Sequence, residues 1–235
     1  MSVLNIAIDG PAGAGKSTIA KMLAERLSYI YVDTGAMYRA IGYYVFNNSG
    51  LNIDLSKEVE NEDLNNIYAF ISKNLTKISI DIEYKDQIQQ IILNGENITD
   101  HIRSMEMGKM ASIVSANKEV RGYLVELQQQ LATKVPVVMD GRDIGTHVLP
   151  NAKLKVYLTA SSKIRAKRRF EQLLELGDTP NLAELTKEIE ERDYRDMNRE
   201  HAPLRQAEDA IIIDSSHMTI EEVVTRIYSL VKKIE

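Results

Sequence analysis

Gly10-Pro11-Ala12-Gly13-Ala14-Gly15-Lys16-Ser17 fits G-x-x-x-x-G-K-[ST], the pattern of a loop that cradles nucleotide phosphates. Glycines let the backbone approach an anion closely, because no Cβ intervenes. Backbone N–H groups and the positive end of a following helix dipole then face the phosphates. Lys16 is expected to reach the β and γ phosphates and the Ser17 hydroxyl to ligate magnesium, with Thr18 beside it in the first helical turn. An ordinary glycine-rich turn is the alternative, and the flanks argue against it. Val3–Ile8 reads as a short buried strand, and Ile19, Met22, Leu23 and Leu27 recur at helical spacing.

A phosphate loop alone does not separate kinases from GTPases or ATPases. The guanine-reading pattern N-K-x-D is missing from the chain. Val137-Val138-Met139-Asp140 is an apolar run ending in a carboxylate, placed to hold magnesium through water at the carboxyl edge of a parallel sheet. A strand-end aspartate capping the next turn is the plainer reading. Asp33-Thr34-Gly35-Ala36-Met37-Tyr38-Arg39-Ala40 follows a second apolar run. Asp33 or Thr34 can cap a helix there and leave N–H groups for an anion. Arg39 and the Tyr38 hydroxyl then make a second phosphate site, against the alternative of a capped helix with one surface arginine.

Two further segments carry arginine and aspartate together. Gly141-Arg142-Asp143-Ile144-Gly145-Thr146 follows Asp140 directly. A turn salt bridge explains the Arg142–Asp143 pair but not its place beside a magnesium ligand. In Arg192-Asp193-Tyr194-Arg195-Asp196-Met197-Asn198-Arg199, positions 192, 195, 196 and 199 are expected on one helix face. A solvated ion-pair helix, with Glu188 and Glu191 as partners, competes with a phosphate role. Arginine tilts the choice, since its rigid fork suits bidentate phosphate contacts.

These residues need a scaffold. Strand candidates at 3–8, 29–32, 135–139, 154–158 and 210–213 alternate with helical patterns, which predicts an α/β fold with a parallel sheet covered on both faces. Ile220 to Lys232 reads as an amphipathic closing helix. Ile78-Ser79-Ile80-Asp81-Ile82 and then Ile91-Ile92-Leu93 with Asn94-Gly95 predict antiparallel hairpins, hence an inserted subdomain at about 62–104, entered through a helix-like segment 56–74. Arginines crowd between Arg165 and Arg205. Two arginine-bearing helices over about 163–199, broken at Gly177-Asp178 and Pro180, suit a lid over phosphates. The remaining core is about 1–61, 105–162 and 200–235.

The 235 residues carry a net charge of −5. No basic field covers the whole chain, so nucleic acid is not an expected partner. Without cysteine there is no disulfide, thiolate metal site or cysteine nucleophile, and a reducing cytoplasm is expected. Neither a signal peptide nor a membrane-spanning run is expected. His101, His147, His201 and His217 show no metal-ligand spacing.

In order and spacing, GPAGAGKST at 10–18, DTGAMYRA at 33–40, GRDIGT at 141–146, RAKRR at 165–169, RDYRDMNR at 192–199 and APL at 202–204 resemble the bacterial cytidylate kinases, a family of P-loop nucleoside monophosphate kinases. The resemblance covers nearly the whole chain. It implies a P-loop core with an enlarged monophosphate-binding domain and a helical lid, and ATP-dependent phosphorylation of CMP and dCMP with Mg2+; a monomer is expected. By position it implies ATP binding by Gly10, Pro11, Ala12, Gly13, Ala14, Gly15, Lys16, Ser17, Thr18 and the lid residue Arg168. Thr34, Tyr38, Arg39, Arg142 and Arg199 match residues on the acceptor phosphate. Arg192 and Asp196 match residues near the sugar, and Ser112, Arg121 and Asp143 match those reading cytosine. Lys16, Arg142, Arg192 and Arg199 are the expected catalytic cations, and Ser17 and Asp140 (through water) the metal site. Position 17 is Ser where related kinases often have Gly. A kinase for shikimate or another monophosphate, and an ATP-dependent nucleic-acid-binding switch using 163–199, are the alternatives.

Overall fold

A computed structural model describes residues 4–55, 57, 59–86, 88–175 and 177–234. In chain order the elements are β1 (Ile6–Asp9), α1 (Lys16–Leu27), β2 (Ile30–Asp33), α2 (Thr34–Asn48), α3 (Asn61–Asn74), β3 (Ile80–Lys85), β4 (Ile88–Leu93) and β5 (Glu96–Asn97). They continue with α4 (Met105–Val114), α5 (Lys118–Lys134), β6 (Val137–Gly141), β7 (Leu154–Thr159), α6 (Ser162–Glu175), α7 (Leu182–Asn198), β8 (Ile211–Asp214) and α8 (Ile220–Val231). Val3 of the expected first strand, and Ser56 and Glu58 of the 56–74 segment, lie outside the described residues. The chain divides into two compact units, residues 1–32 with 131–235, and residues 33–130.

The first unit is a five-stranded sheet in the order β2-β6-β1-β7-β8. β1 runs parallel to β6 and β7, with Ile8 opposite Asp140 and Val156, and β7 runs parallel to β8. All five strand candidates are therefore present. β1, β6 and β7 read as near-continuous apolar runs because both their faces are covered, whereas Ile211 and Ile212 of the edge strand β8 are exposed. Ile19 and Leu23 of α1 pack with Ile6, Ile8, Val156, Leu158 and Ile213 of the sheet and with Val223, Ile227 and Val231 of α8. Each such side chain contributes roughly 1.5–3 kcal/mol by leaving water. α8 begins at a capping box: Glu222 N–H donates to Thr219 Oγ1, and Thr219 N–H donates to Glu222 Oε2. Ile220, expected on its apolar face, is exposed. In α6 and α7, Ala166, Leu173, Leu185 and Ile189 form a small core of their own. Asn181 caps α7 through the Ala183 and Glu184 amides.

The second unit holds the antiparallel sheet β3-β4-β5. Ile80 lies opposite Leu93, and Ile82 opposite Ile91. Asn94 and Gly95, both at positive φ (49° and 86°), turn β4 into β5, as the Asn-Gly pair predicts. The unit is larger than the 62–104 segment that carries the hairpins. Met37 and Ile41 of α2, Ile67 and Ile71 of α3, Met110 of α4 and Leu124 of α5 share one core with Ile91. Helices on either side of the hairpins in sequence thus complete their hydrophobic face. Among the described residues, no helix is long and apolar enough to cross a membrane.

Candidate active site

β1 delivers the chain into the glycine loop, and α1 starts at Lys16. Gly10 cannot be anything larger: a Cβ there would lie 1.9 Å from the Leu158 carbonyl oxygen. The Gly15 N-cap offers no side chain, so no side-chain acceptor competes for the first amides of α1. Lys16 is buried, and its Nζ donates to the Pro11 carbonyl at 2.7 Å. Burial pushes its ammonium well below the usual lysine range. The Arg142 and Arg192 cations add to that, against the opposing pull of Asp140 and Asp196. An arriving polyphosphate would reverse this imbalance.

Ser17 Oγ donates to Asp140 Oδ2 at 2.9 Å, and the Tyr31 hydroxyl donates to Asp140 Oδ1 at 2.9 Å. The expected metal ligands are therefore neighbours, and Tyr31, read only as a strand residue, orients the carboxylate. Magnesium is held by one or two protein oxygens and keeps several waters and phosphates. A hydroxyl beside a carboxylate fits that donor set. Among the described residues, no cluster of three or more His, Cys, Asp or Glu side chains offers an all-protein cage.

The β6 turn carries the next groups. Arg142 Nε donates to Asp196 Oδ2 at 2.8 Å, and Arg199 Nη2 lies 3.3 Å from Asp143 Oδ1. Burial works against charge on Asp196, but Arg142, Arg192 and Arg199 outweigh it and hold the carboxyl below the usual range. The reciprocal pull of Asp196 raises the Arg142 guanidinium despite burial. Sequence reasoning missed the residue beneath this turn. Asp9, the last of β1, accepts N–H bonds from Ile144 and Gly145, both at 2.7 Å. Burial lifts its carboxyl to about 6, against those two bonds and Lys16, with Asp143 adding to the rise.

The buried face of α7 also differs from expectation. Arg195 is exposed, whereas Leu185, Ile189, Asp193 and Asp196 are buried. Spacings of four, four and three residues put Asp193, not Arg195, beneath the helix. Asp193 Oδ1 accepts the Ala12 N–H at 3.0 Å, and its Oδ2 lies 2.6 Å from Arg165 Nη1. Arg168, expected at the ATP side of the lid, donates to the Ser215 carbonyl at 2.6 Å and hydroxyl at 3.2 Å. Thr18 is exposed on the first turn of α1.

In the second unit, Asp33 rather than Thr34 caps α2, accepting the Ala36 N–H at 2.9 Å, and Thr34 is buried. The same carboxylate pairs with Arg39 Nη2 at 2.8 Å. Gln89 of β4 grips the Asp33 peptide at both ends: its Oε1 accepts the N–H at 2.7 Å and its Nε2 donates to the carbonyl at 3.3 Å. Neither role of Asp33 or Gln89 as a support for Arg39 is visible without the fold. Tyr38 presents its ring, with the Arg121 guanidinium 5.8 Å from the ring centroid. Arg121, buried on the first turn of α5, reaches the Ser115 carbonyl at 3.4 Å, while Ser112 lies in the last turn of α4.

A family model described as cytidylate kinase matches residues 6–233. The chain belongs to the cytidylate kinase family. It is 50% identical over 234 residues to the cytidylate kinase of Caldicellulosiruptor bescii, covering 100% of this chain and 98% of that one. The cytidylate kinase of Listeria innocua is 47% identical over 228 residues, 97% of this chain and 96% of the relative. Among solved structures, an uncharacterised protein of Eubacterium ventriosum shares the fold, with a TM-score of 0.51, 12% identity and 98% of each chain covered. Membership makes the chain a phosphotransferase of the cytidylate kinase type and leaves the shikimate-type kinase and the nucleic-acid switch unfavoured.

Proposed function

We propose that this cytidylate kinase family member moves the γ-phosphoryl group of ATP to CMP and dCMP, with the donor phosphates on the Gly10–Thr18 loop. The observation that carries the assignment is the run of β6 into its turn. Asp140 bonds Ser17 of the phosphate loop, and Arg142 and Asp143 follow within three residues. Ser17 and, through water, Asp140 would hold magnesium, which would supply positive charge to offset that of the donor phosphates.

The acceptor oxygen is already anionic, so no general base is needed and none is assigned. The protein's work is alignment and charge compensation. Lys16 exchanges the Pro11 carbonyl for donor oxygens. Arg142, Arg192 and Arg199 serve the transferring group and acceptor phosphate, with Thr34, Tyr38 and Arg39 assigned to that phosphate. Asp196 and Arg192 are assigned to the sugar, and Arg168 to the donor side. Asp143 accepts from the cytosine amino group, with Ser112 and Arg121 as further base contacts. Uracil would set a carbonyl against that buried carboxylate and leave it unsatisfied, which is the stronger form of discrimination.

The test is ADP release with ATP, magnesium and each monophosphate in turn. CMP and dCMP should be phosphorylated well above UMP and AMP. Strong turnover of UMP or AMP with none of CMP would overturn the assignment.

A further inference from the structure

Asp193 and Arg165 close a ring on one peptide of the phosphate loop. Asp193 Oδ1 accepts the Ala12 N–H at 3.0 Å, and Arg165 Nη1 donates to the Ala12 carbonyl at 2.7 Å. The two side chains pair with each other at 2.6 Å, and Arg165 Nε donates to the Ala160 carbonyl at 2.8 Å. Both are nearly out of solvent, at 6% and 7% exposure for Arg165 and Asp193. The backbone is close as well: a Cβ on Gly13 would lie 3.3 Å from Arg165 Cβ. If these residues served only to join α6 to α7, a bond between the two helices would suffice. Instead both ends of the ring terminate on the main chain of the donor-phosphate loop.

The chemistry of this position is unusual. A loop built to attract phosphate keeps a carboxylate on one of its amides, and that carboxylate is neutralised by a buried guanidinium. An N–H engaged by aspartate is withdrawn from phosphate, so the contact also sets which loop amides face the donor. Asp193 sits between Arg192 and Asp196 on α7, the helix that bears the sugar and acceptor groups. We propose that Asp193, held by Arg165, is a positioning residue for phosphoryl transfer: it docks α7 on the Ala12 peptide and so registers Arg192 and Asp196 against the bound donor. The inference rests on the kinase assignment above.

In this scheme a lid that is not seated still lets ATP bind but admits water and misplaces the acceptor groups. Asp193→Ala should lower kcat for CMP phosphorylation about tenfold or more, while the KM for ATP moves by less than about threefold. Acceptor-free ATP hydrolysis, as a fraction of transfer, should rise in the same variant. Asp193→Asn keeps an acceptor for the Ala12 N–H and loses the charge facing Arg165, so it should fall between wild type and Asp193→Ala. Arg165→Lys, unable to serve Ala12, Ala160 and Asp193 together, should raise the hydrolysis fraction too. A drop in melting temperature with kcat per folded molecule and hydrolysis fraction both unchanged would overturn the proposal. Should Asp193→Ala not fold, the hydrolysis fraction of Asp193→Asn decides in the same way. A wild type inactive on CMP would strike the kinase assignment instead. Acceptor-free ATP turnover would then judge Asp193 alone, rising in the variants if it seats the lid and staying level if it does not.

Discussion

Asp9 shows how one buried side chain can join two segments far apart in sequence. Its carboxylate ties the strand entering the phosphate loop to the turn that carries Arg142 and Asp143. Because burial raises its carboxyl from 3.8 to about 6, the folded protein binds this proton more tightly than the unfolded chain. The associated stability is fully present below about pH 4 and is lost as pH rises through about 6. Wild-type stability minus that of Asp9→Asn should therefore fall by on the order of 3 kcal/mol across that window, read from urea midpoints. A flat difference would mean an ordinary carboxyl. Asp143→Ala should lower the CMP-over-UMP ratio of kcat/KM by about tenfold or more, and an unchanged ratio would remove its base-reading role. Arg39→Ala and Arg142→Ala should each slow turnover more than about tenfold while circular dichroism stays native. Lys16, Arg142 and Asp140 stood out as candidates because their neighbours in sequence form a pattern. Asp9 and Asp193 were not, since each acts on backbone groups far along the chain, and such pairings leave no local trace.

Among elements, the parallel strands were the easiest to read: two-sided burial leaves uninterrupted apolar runs in β1, β6 and β7, and the exposed edge strand β8 is apolar as well. The break between α6 and α7 was equally plain: Gly177 takes a φ of 87°, and Asn181 starts the next helix. On α7 the expected face of 192, 195, 196 and 199 holds for buried Asp196 but not for exposed Arg195, and Asp193 was given no role because its partners, Ala12 and Arg165, lie far away in sequence. Element joints give two contrasting tests. Gly10→Ala should cost about 3 kcal/mol or more, since its Cβ would overlap the Leu158 carbonyl of β7 and the strand cannot yield. Thr219→Ala should cost about 1 kcal/mol through the α8 cap and leave kcat unchanged. Thermal melts beside CMP assays separate the two.

Across the molecule, the division into residues 1–32 with 131–235 and residues 33–130 was only partly legible. The hairpins announce themselves, but α2, α4 and α5 join their core through contacts that composition does not encode. Net charge carries its own prediction. At −5, and with Arg39, Arg142 and Arg199 each beside a carboxylate, the protein should not retard RNA in a gel at physiological salt. A salt-sensitive shift would revive the nucleic-acid alternative.

Those arginine–aspartate pairs bear on selectivity in a crowded solution. Sulfate, free phosphate and stray polyanions abound wherever nucleotides do, and bare guanidinium groups would be fouled by them. Here an intruder must first displace Asp33, Asp196 or Asp143 from its arginine, one weak competitor against one tethered rival. A ligand reaching the Arg142 and Arg199 pairs together would outcompete both aspartates, so these built-in counterions would favour molecules that are large and charged at the right places.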